Sequence, residues 1–251
     1  MRQFFREFSQ STLAYYEAFQ FVKKHKLKGF ILSAAFFNFF AFIFVGVFAW
    51  IYTGKLIDLI YTTFSFPLDW EEWGNMLQIL TAIFIRILLI SAYINLYKYI
   101  ILIIFAPVLA ILSERTQNIL NQQKKSVNLI RLISEIGRGM MMGIILISLN
   151  ILIYLALLLL SLTIPLFSPA FVLLVFILES FFFGASMLDY RNEYFQLSVK
   201  SSFNEIFKHK GLVLGNGLAL NLFILIPFVG VLFAPSFALI AAGIHANKVI
   251  R

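Results

Sequence analysis

The chain has 251 residues, of which 61% are hydrophobic, 17% aromatic and only 13% charged. Soluble domains run at about 45–50% apolar and about 25% charged, so this chain has too little polar surface for water and must meet lipid. The absence of cysteine excludes disulfides, thiolate nucleophiles, iron–sulfur clusters and zinc–thiolate sites. The net charge of +8 is scattered between apolar runs, which points to cytoplasmic loops and anionic headgroups and away from nucleic acid.

One membrane domain over residues 1–251 is the simplest organisation. Residues 1–28 lack the short basic start and unbroken apolar core of a secretory signal. Instead Phe4, Phe5, Phe8, Tyr15, Tyr16, Phe19 and Val22 recur at helical spacing among Arg6, Glu7, Gln10, Glu17 and Lys24. This pattern predicts an amphipathic helix, lying in the headgroup plane with its aromatic face down or packed on the protein itself. Residues 29–52 carry no charge and one Asn, and close on Trp50 and Tyr52. They predict a transmembrane helix with interfacial anchors.

Residues 53–75 read as a short acidic loop holding Asp58, Asp69, Glu71 and Glu72 against Lys55. A second long apolar run, 76–112, is interrupted by Arg86, Lys98 and Pro107. It exceeds one span, so it predicts a helix that protrudes or bends near Ala106-Pro107. The connection 113–139 and the loop 189–210 are basic, as are both chain ends. The positive-inside rule therefore places both termini and both loops in the cytoplasm, and 53–75 outside.

The remaining blocks, 140–186 and 211–250, read as helical hairpins. Each has an Ile-Pro stop (Ile164-Pro165, Ile226-Pro227), an uncharged connector, and a proline (Pro169, Pro235) restarting the second helix. Arms of about 15 residues in the second hairpin fall short of the roughly 17–25 needed to cross, predicting partial penetration. For the first hairpin both depths stay open. The fold class is thus all-α and membrane-integral: two long transmembrane helices plus two hairpins, at least one only partly penetrating.

Charged groups inside apolar runs are costly and mark candidate pathways. Arg86 either pairs with Glu179, lines an aqueous path, or snorkels to a headgroup; for Lys98, flanked by Tyr97 and Tyr99, snorkelling is favoured. Asn38, Asn95, Asn150, Asn216 and Asn221 are expected to bond neighbouring helices. Gly215-Asn216-Gly217 would also admit a close backbone or ligand. No metalloprotease, serine-hydrolase, Walker or dinucleotide motif is present, so an enzyme is not expected. His25, His209 and His245 lie at membrane edges without metal spacing, and no metal or cofactor is expected.

The order of these features resembles the CysZ sulfate-permease family, related to the etoposide-induced membrane proteins, from about Phe19 to His245. That family's Pro-Gly-apolar-Arg-Arg stretch before the first span corresponds to His25-Lys26-Leu27-Lys28-Gly29-Phe30, with Asn38 downstream. Its Ala-Pro-Phe and Ala-Glu correspond to Ala106-Pro107-Val108 and Ser113-Glu114, its Asp-Tyr pair to Asp189-Tyr190. The entering Gly and two prolines of its last hairpin correspond to Gly215, Pro227 and Pro235. The resemblance implies a bacterial inner-membrane sulfate importer assembled as dimers or larger oligomers. It places anion binding at Lys26, Leu27, Lys28 and Gly29, keeping the charge but losing the Arg fork. A non-transporting membrane protein organising lipid or partner proteins is the alternative from a different class.

Overall fold

The computed structural model describes residues 2–63, 106–123, 129–163, 168–226 and 229–250. The described residues form helices joined by short turns, with no strand among them. In chain order these are α1 (Arg2–Lys24), α2 (Lys28–Thr63), α3 (described over 106–120), α4 (Leu129–Thr163), α5 (Ser168–Tyr194), α6 (Val199–Lys208), α7 (Lys210–Ile224) and α8 (Val229–Val249). Among the described residues, three stretches are long and apolar enough to cross a bilayer: Gly137–Leu157, Leu173–Tyr194 and Leu232–Val249. The protein is an all-α, multi-pass membrane protein. Contacts divide it into one unit formed by Met1–Phe36 with Ile103–Arg251 and a second formed by Phe37–Leu102.

Within the first unit, α7 is the element around which others gather. It is only 15 residues long, about 22 Å at 1.5 Å per residue. Its small residues let neighbouring backbones come close, the usual device where lipid supplies no hydrophobic drive between helices. A side chain at Gly211 or Gly215 would strike the carbonyls of Phe4 or Phe8 on α1. On the opposite side, Gly217 lies against Ser180 and Gly184 against Val213, so α5 and α7 dock glycine to backbone reciprocally. The close approach that Gly215-Asn216-Gly217 allows is thus made by helices. Met142, Leu146, Phe182, Leu188, Ile206 and Leu212 fill the core around this crossing.

The N-terminal helix packs on the protein, one of the two arrangements its pattern left open. Glu7, Ser11, Ala14, Ala18 and Val22 form its buried stripe, packed on α7 and α8. Phe5, Leu13, Tyr16 and Phe19 face outward, each more than 60% exposed. Small residues face the protein because α7 comes too close for aromatic rings. Polar contacts fasten the stripe: Ser11 Oγ donates to Leu212 O at 2.9 Å, and Tyr15 OH to Asn216 O at 2.9 Å.

Several helix ends differ from the sequence reading, most of them for one reason. Hydropathy locates where a chain leaves lipid, whereas a helix continues until its backbone hydrogen bonds stop. Hence α2 runs to Thr63 through the start of the 53–75 loop, and α3 passes Leu112 to residue 120. Helix α4 begins at Leu129, inside the expected 113–139 connection, and α5 continues past 186 to Tyr194. At 35 and 27 residues, about 52 and 40 Å, both arms of this hairpin exceed a bilayer core of about 30 Å. In the last hairpin the helix does not restart at Pro235. It starts at Val229, where Gly230 N–H donates to Ile226 O at 2.8 Å and the glycine packs on Phe223 and Ile224. Helix α8 is therefore 21 residues, about 31 Å, with Pro235 inside it. The expected arm of about 15 residues applies to α7 and not to α8. The remainder of the 53–75 loop, the run up to Ala106, and Arg86, Lys98, Pro165 and Pro227 lie outside the described residues.

Candidate functional site

The basic stretch between α1 and α2 is a tight turn. Lys26 adopts the left-handed conformation, with φ 55°. His25 N–H donates to Phe21 O at 2.9 Å and Leu27 N–H to Val22 O at 3.1 Å, closing the last carbonyls of α1. Leu27 O then accepts the first bond of α2, from Ile31 N–H at 3.1 Å. The N–H groups of Lys28, Gly29 and Phe30 are the first of α2 and have no partner within the helix. A helix start with free donors and partial positive charge attracts an anion.

Lys26, Lys28 and Gly29 are exposed there, so two ammonium-bearing side chains flank the start of α2 in the open. Leu27 plays a different part: its N–H is taken and its side chain is buried at 6% exposure. It caps the turn and offers an anion no donor. Tertiary folding adds a cation that sequence reading missed. The guanidinium of Arg115, on α3, lies 5.1 Å from the centre of the Phe30 ring. No local pattern links the two residues, because only the packing of α3 beside α2 brings them together.

The other sequence candidates are dispersed. Asn38 is buried on α2 and Glu179 on α5. Asn216 Nδ2 donates to Ala238 O at 3.0 Å and joins α7 to α8, while Asn221 Nδ2 donates to Ser180 Oγ at 2.9 Å and joins α7 to α5. His25 stacks near Phe21, its ring centre 4.5 Å away. His209, the single residue between α6 and α7, has Nδ1 2.9 Å from Glu7 Oε1. His245 is buried, and neither ring nitrogen has a hydrogen-bond partner among the described residues. Burial pushes the Tyr15 phenol well above its ordinary pKa, so its hydroxyl stays a donor to Asn216 O.

A second polar region joins one end of α3, α4, α5, α6 and α8. Asp189 accepts from Arg138 Nη2 at 2.9 Å and from Ser202 Oγ, and Asn192 Nδ2 donates to Ser202 Oγ at 2.9 Å. Arg138 Nε also donates to Leu197 O at 2.6 Å. Arg191 Nε donates to Asn247 Oδ1 at 3.1 Å, and Asn247 Nδ2 to Gln117 Oε1 at 2.9 Å. Ser113 Oγ donates to Tyr190 O at 3.0 Å. Arg191 also lines a cavity of about 550 Å³ of mixed character, with Asn121, Glu205 and Asn247 beside Phe195, Leu197 and Ile250. Ser113 and Asp189-Tyr190, far apart in sequence, thus meet in one network. Asp189 is bonded by the Arg138 guanidinium and the Ser202 hydroxyl, and Asn192 holds that hydroxyl in turn, so the buried carboxylate is paired and hydrogen-bonded.

The family described as Sulfate transporter CysZ/Etoposide-induced protein 2.4 matches residues 14–235. The chain belongs to that family. A comparison with curated proteins gives no match. The matched region takes in the basic turn, the Arg138–Asp189–Ser202 cluster and the α7–α8 hairpin as far as Pro235. Family membership supports a membrane protein of transporter type, for which an enzymatic role is not indicated.

Proposed function

We propose that this protein carries a small inorganic oxyanion, sulfate, across the bacterial plasma membrane for sulfur assimilation. The observation that carries the reading is the match to the sulfate transporter family over most of the chain. In this reading Lys26, Lys28 and the N–H groups at Lys28 and Gly29 form the entry site, with Arg115 alongside. A sulfate dianion sheds water on entry, and ammonium groups with several N–H donors supply a replacement shell. Because Lys binds as a point charge, affinity is modest and falls with ionic strength. Arg86, Glu179, Asn38 and Asn216 are the candidates for lining a pathway or for pairing helices; both termini are cytoplasmic, and the working form is a homo-oligomer.

Sulfate uptake into liposomes by the purified protein tests the activity. Changing Lys26 and Lys28 together to Gln, with Lys23 and Lys24 retained, tests the site. Binding and uptake should fall while the protein still inserts. Unchanged sulfate binding in a correctly inserted double variant removes the site. The outward aromatic face of α1 supports the second reading, a membrane protein that organises lipid or partners. Active purified protein showing no oxyanion flux, yet retaining membrane partners, selects that reading.

A further inference from the structure

A cavity of about 990 Å³ lies between the second half of α1, the first turns of α2 and the tip end of the α7–α8 hairpin. Its size is at the upper end of small-ligand sites, which run about 300–1,000 Å³. Tyr16, Phe19, Leu32, Leu222, Phe223 and Phe237 make most of its wall. Two further hydroxyls in the wall are already engaged, Thr12 Oγ1 with Ser9 O at 2.8 Å and Tyr15 OH with Asn216 O at 2.9 Å. The interior therefore asks an occupant for apolar surface and for almost no hydrogen bonding.

Lys23 and Lys28 are the charged residues of the lining, and no carboxylate accompanies them. Both are exposed, so their ammonium groups sit at the rim, either side of the α1–α2 turn. An apolar groove with a purely cationic rim complements one class of molecule present wherever this protein resides. That molecule has a hydrocarbon tail and an anionic phosphate at its end. Leu222 and Val229 are about half exposed, leaving the groove open at the side for a tail to enter laterally.

We propose that this groove is a binding site for an anionic phospholipid, with an acyl chain along Phe19, Leu32 and Phe237 and the phosphate on Lys23 and Lys28. The lipid lies against α1, α2, α7 and α8 at once and bridges the hairpin tip to the turn. Lys28 faces both the groove and the start of α2, so lipid phosphate and a free oxyanion compete for it. This last consequence rests on the sulfate reading; the lipid site does not.

The experiment delipidates the purified, monodisperse protein in detergent and titrates it with phosphatidylglycerol or phosphatidylcholine of identical chains, reading bound lipid by native mass spectrometry. Phosphatidylglycerol should bind at concentrations about tenfold lower. The Lys23→Gln, Lys28→Gln double variant should bind both lipids equally, and Ala219→Phe, which fills the groove, should weaken both. Circular dichroism and monodispersity confirm that each variant is folded, and Leu222→Phe replaces Ala219→Phe if the latter is not. Inorganic phosphate should displace the lipid only at far higher concentration, since it lacks the tail. Equal binding of the two lipids by the unaltered protein overturns the proposal, as does a headgroup preference that survives in the lysine double variant. A cysteine at Leu222 that crosslinks quantitatively to a second copy, with no lipid retained, overturns it in favour of a subunit interface. Sulfate uptake is read separately, so a failed transport reading leaves the lipid result intact.

Discussion

Helices α4 and α8 are both apolar enough to cross a bilayer, yet they live in different surroundings. Within their spanning windows, 17% of α4 residues are buried inside the protein against 67% for α8. Helix α4 leaves Met141, Ile144, Leu152 and Leu155 exposed, whereas Ala238, Ile240, Ala241 and Ala242 of α8 are enclosed by other helices. Similar composition therefore does two jobs. On α4, side chains need only be apolar; on α8 and its partner α7, they must also be small where backbones cross.

The sharpest test of that contrast is a glycine exchange. A methyl at Gly217 falls on the Ser180 carbonyl, while one at Gly143 on α4 meets nothing within 4 Å. Gly217→Ala should abolish recovery of monodisperse protein. Gly143→Ala should leave the melting temperature in detergent unchanged or slightly raised, because alanine is the better helix former. Equal tolerance at the two positions would break the contrast.

Next in size is the tie between Arg138 of α4 and Asp189 of α5. Arg138→Met leaves the Asp189 carboxylate buried without its guanidinium, at a cost of about 3–5 kcal/mol for breaking one side of a buried pair. Adding Asp189→Leu should restore part of that loss, read by thermal unfolding of the four proteins of the cycle. No restoration would mean that the Ser202 hydroxyl, not Arg138, governs Asp189. Smaller still is Asn216→Leu, which removes the bond to Ala238 O and should cost about 0.6–2 kcal/mol. At the exposed edge between α1 and α8, Lys248→Gln cuts the bond to Glu17 at 2.7 Å. That exposed pair should be worth at most about 1 kcal/mol, and less at high salt.

The candidate anion site was partly legible. Lys26, Lys28 and the start of an apolar helix stand next to each other in the chain, so local pattern alone collects them. Leu27 was legible as a position but not as a cap, since its role depends on the left-handed turn at Lys26. Arg115 was not legible there at all. The aromatic face of α1 was readable from helical spacing; which of its faces the protein would take was not, because that depends on glycines in α7.

By itself the sequence determined that this is a helical membrane protein with basic ends and a basic turn before its first long helix. Those properties follow from solvent transfer, one residue at a time, and need no knowledge of neighbours. The tertiary structure decided where helices end, as at Val229 and Tyr194, and which distant groups meet, as Arg138 does Asp189 and Phe30 does Arg115. It also decided that Glu7 and Ser11 face inward while Phe5 and Phe19 face out. The physical reason is that hydropathy measures affinity for lipid, and lipid is as apolar as leucine. Among helices already in a membrane, the partner is chosen by fit and by hydrogen bonding, and both are properties of pairs.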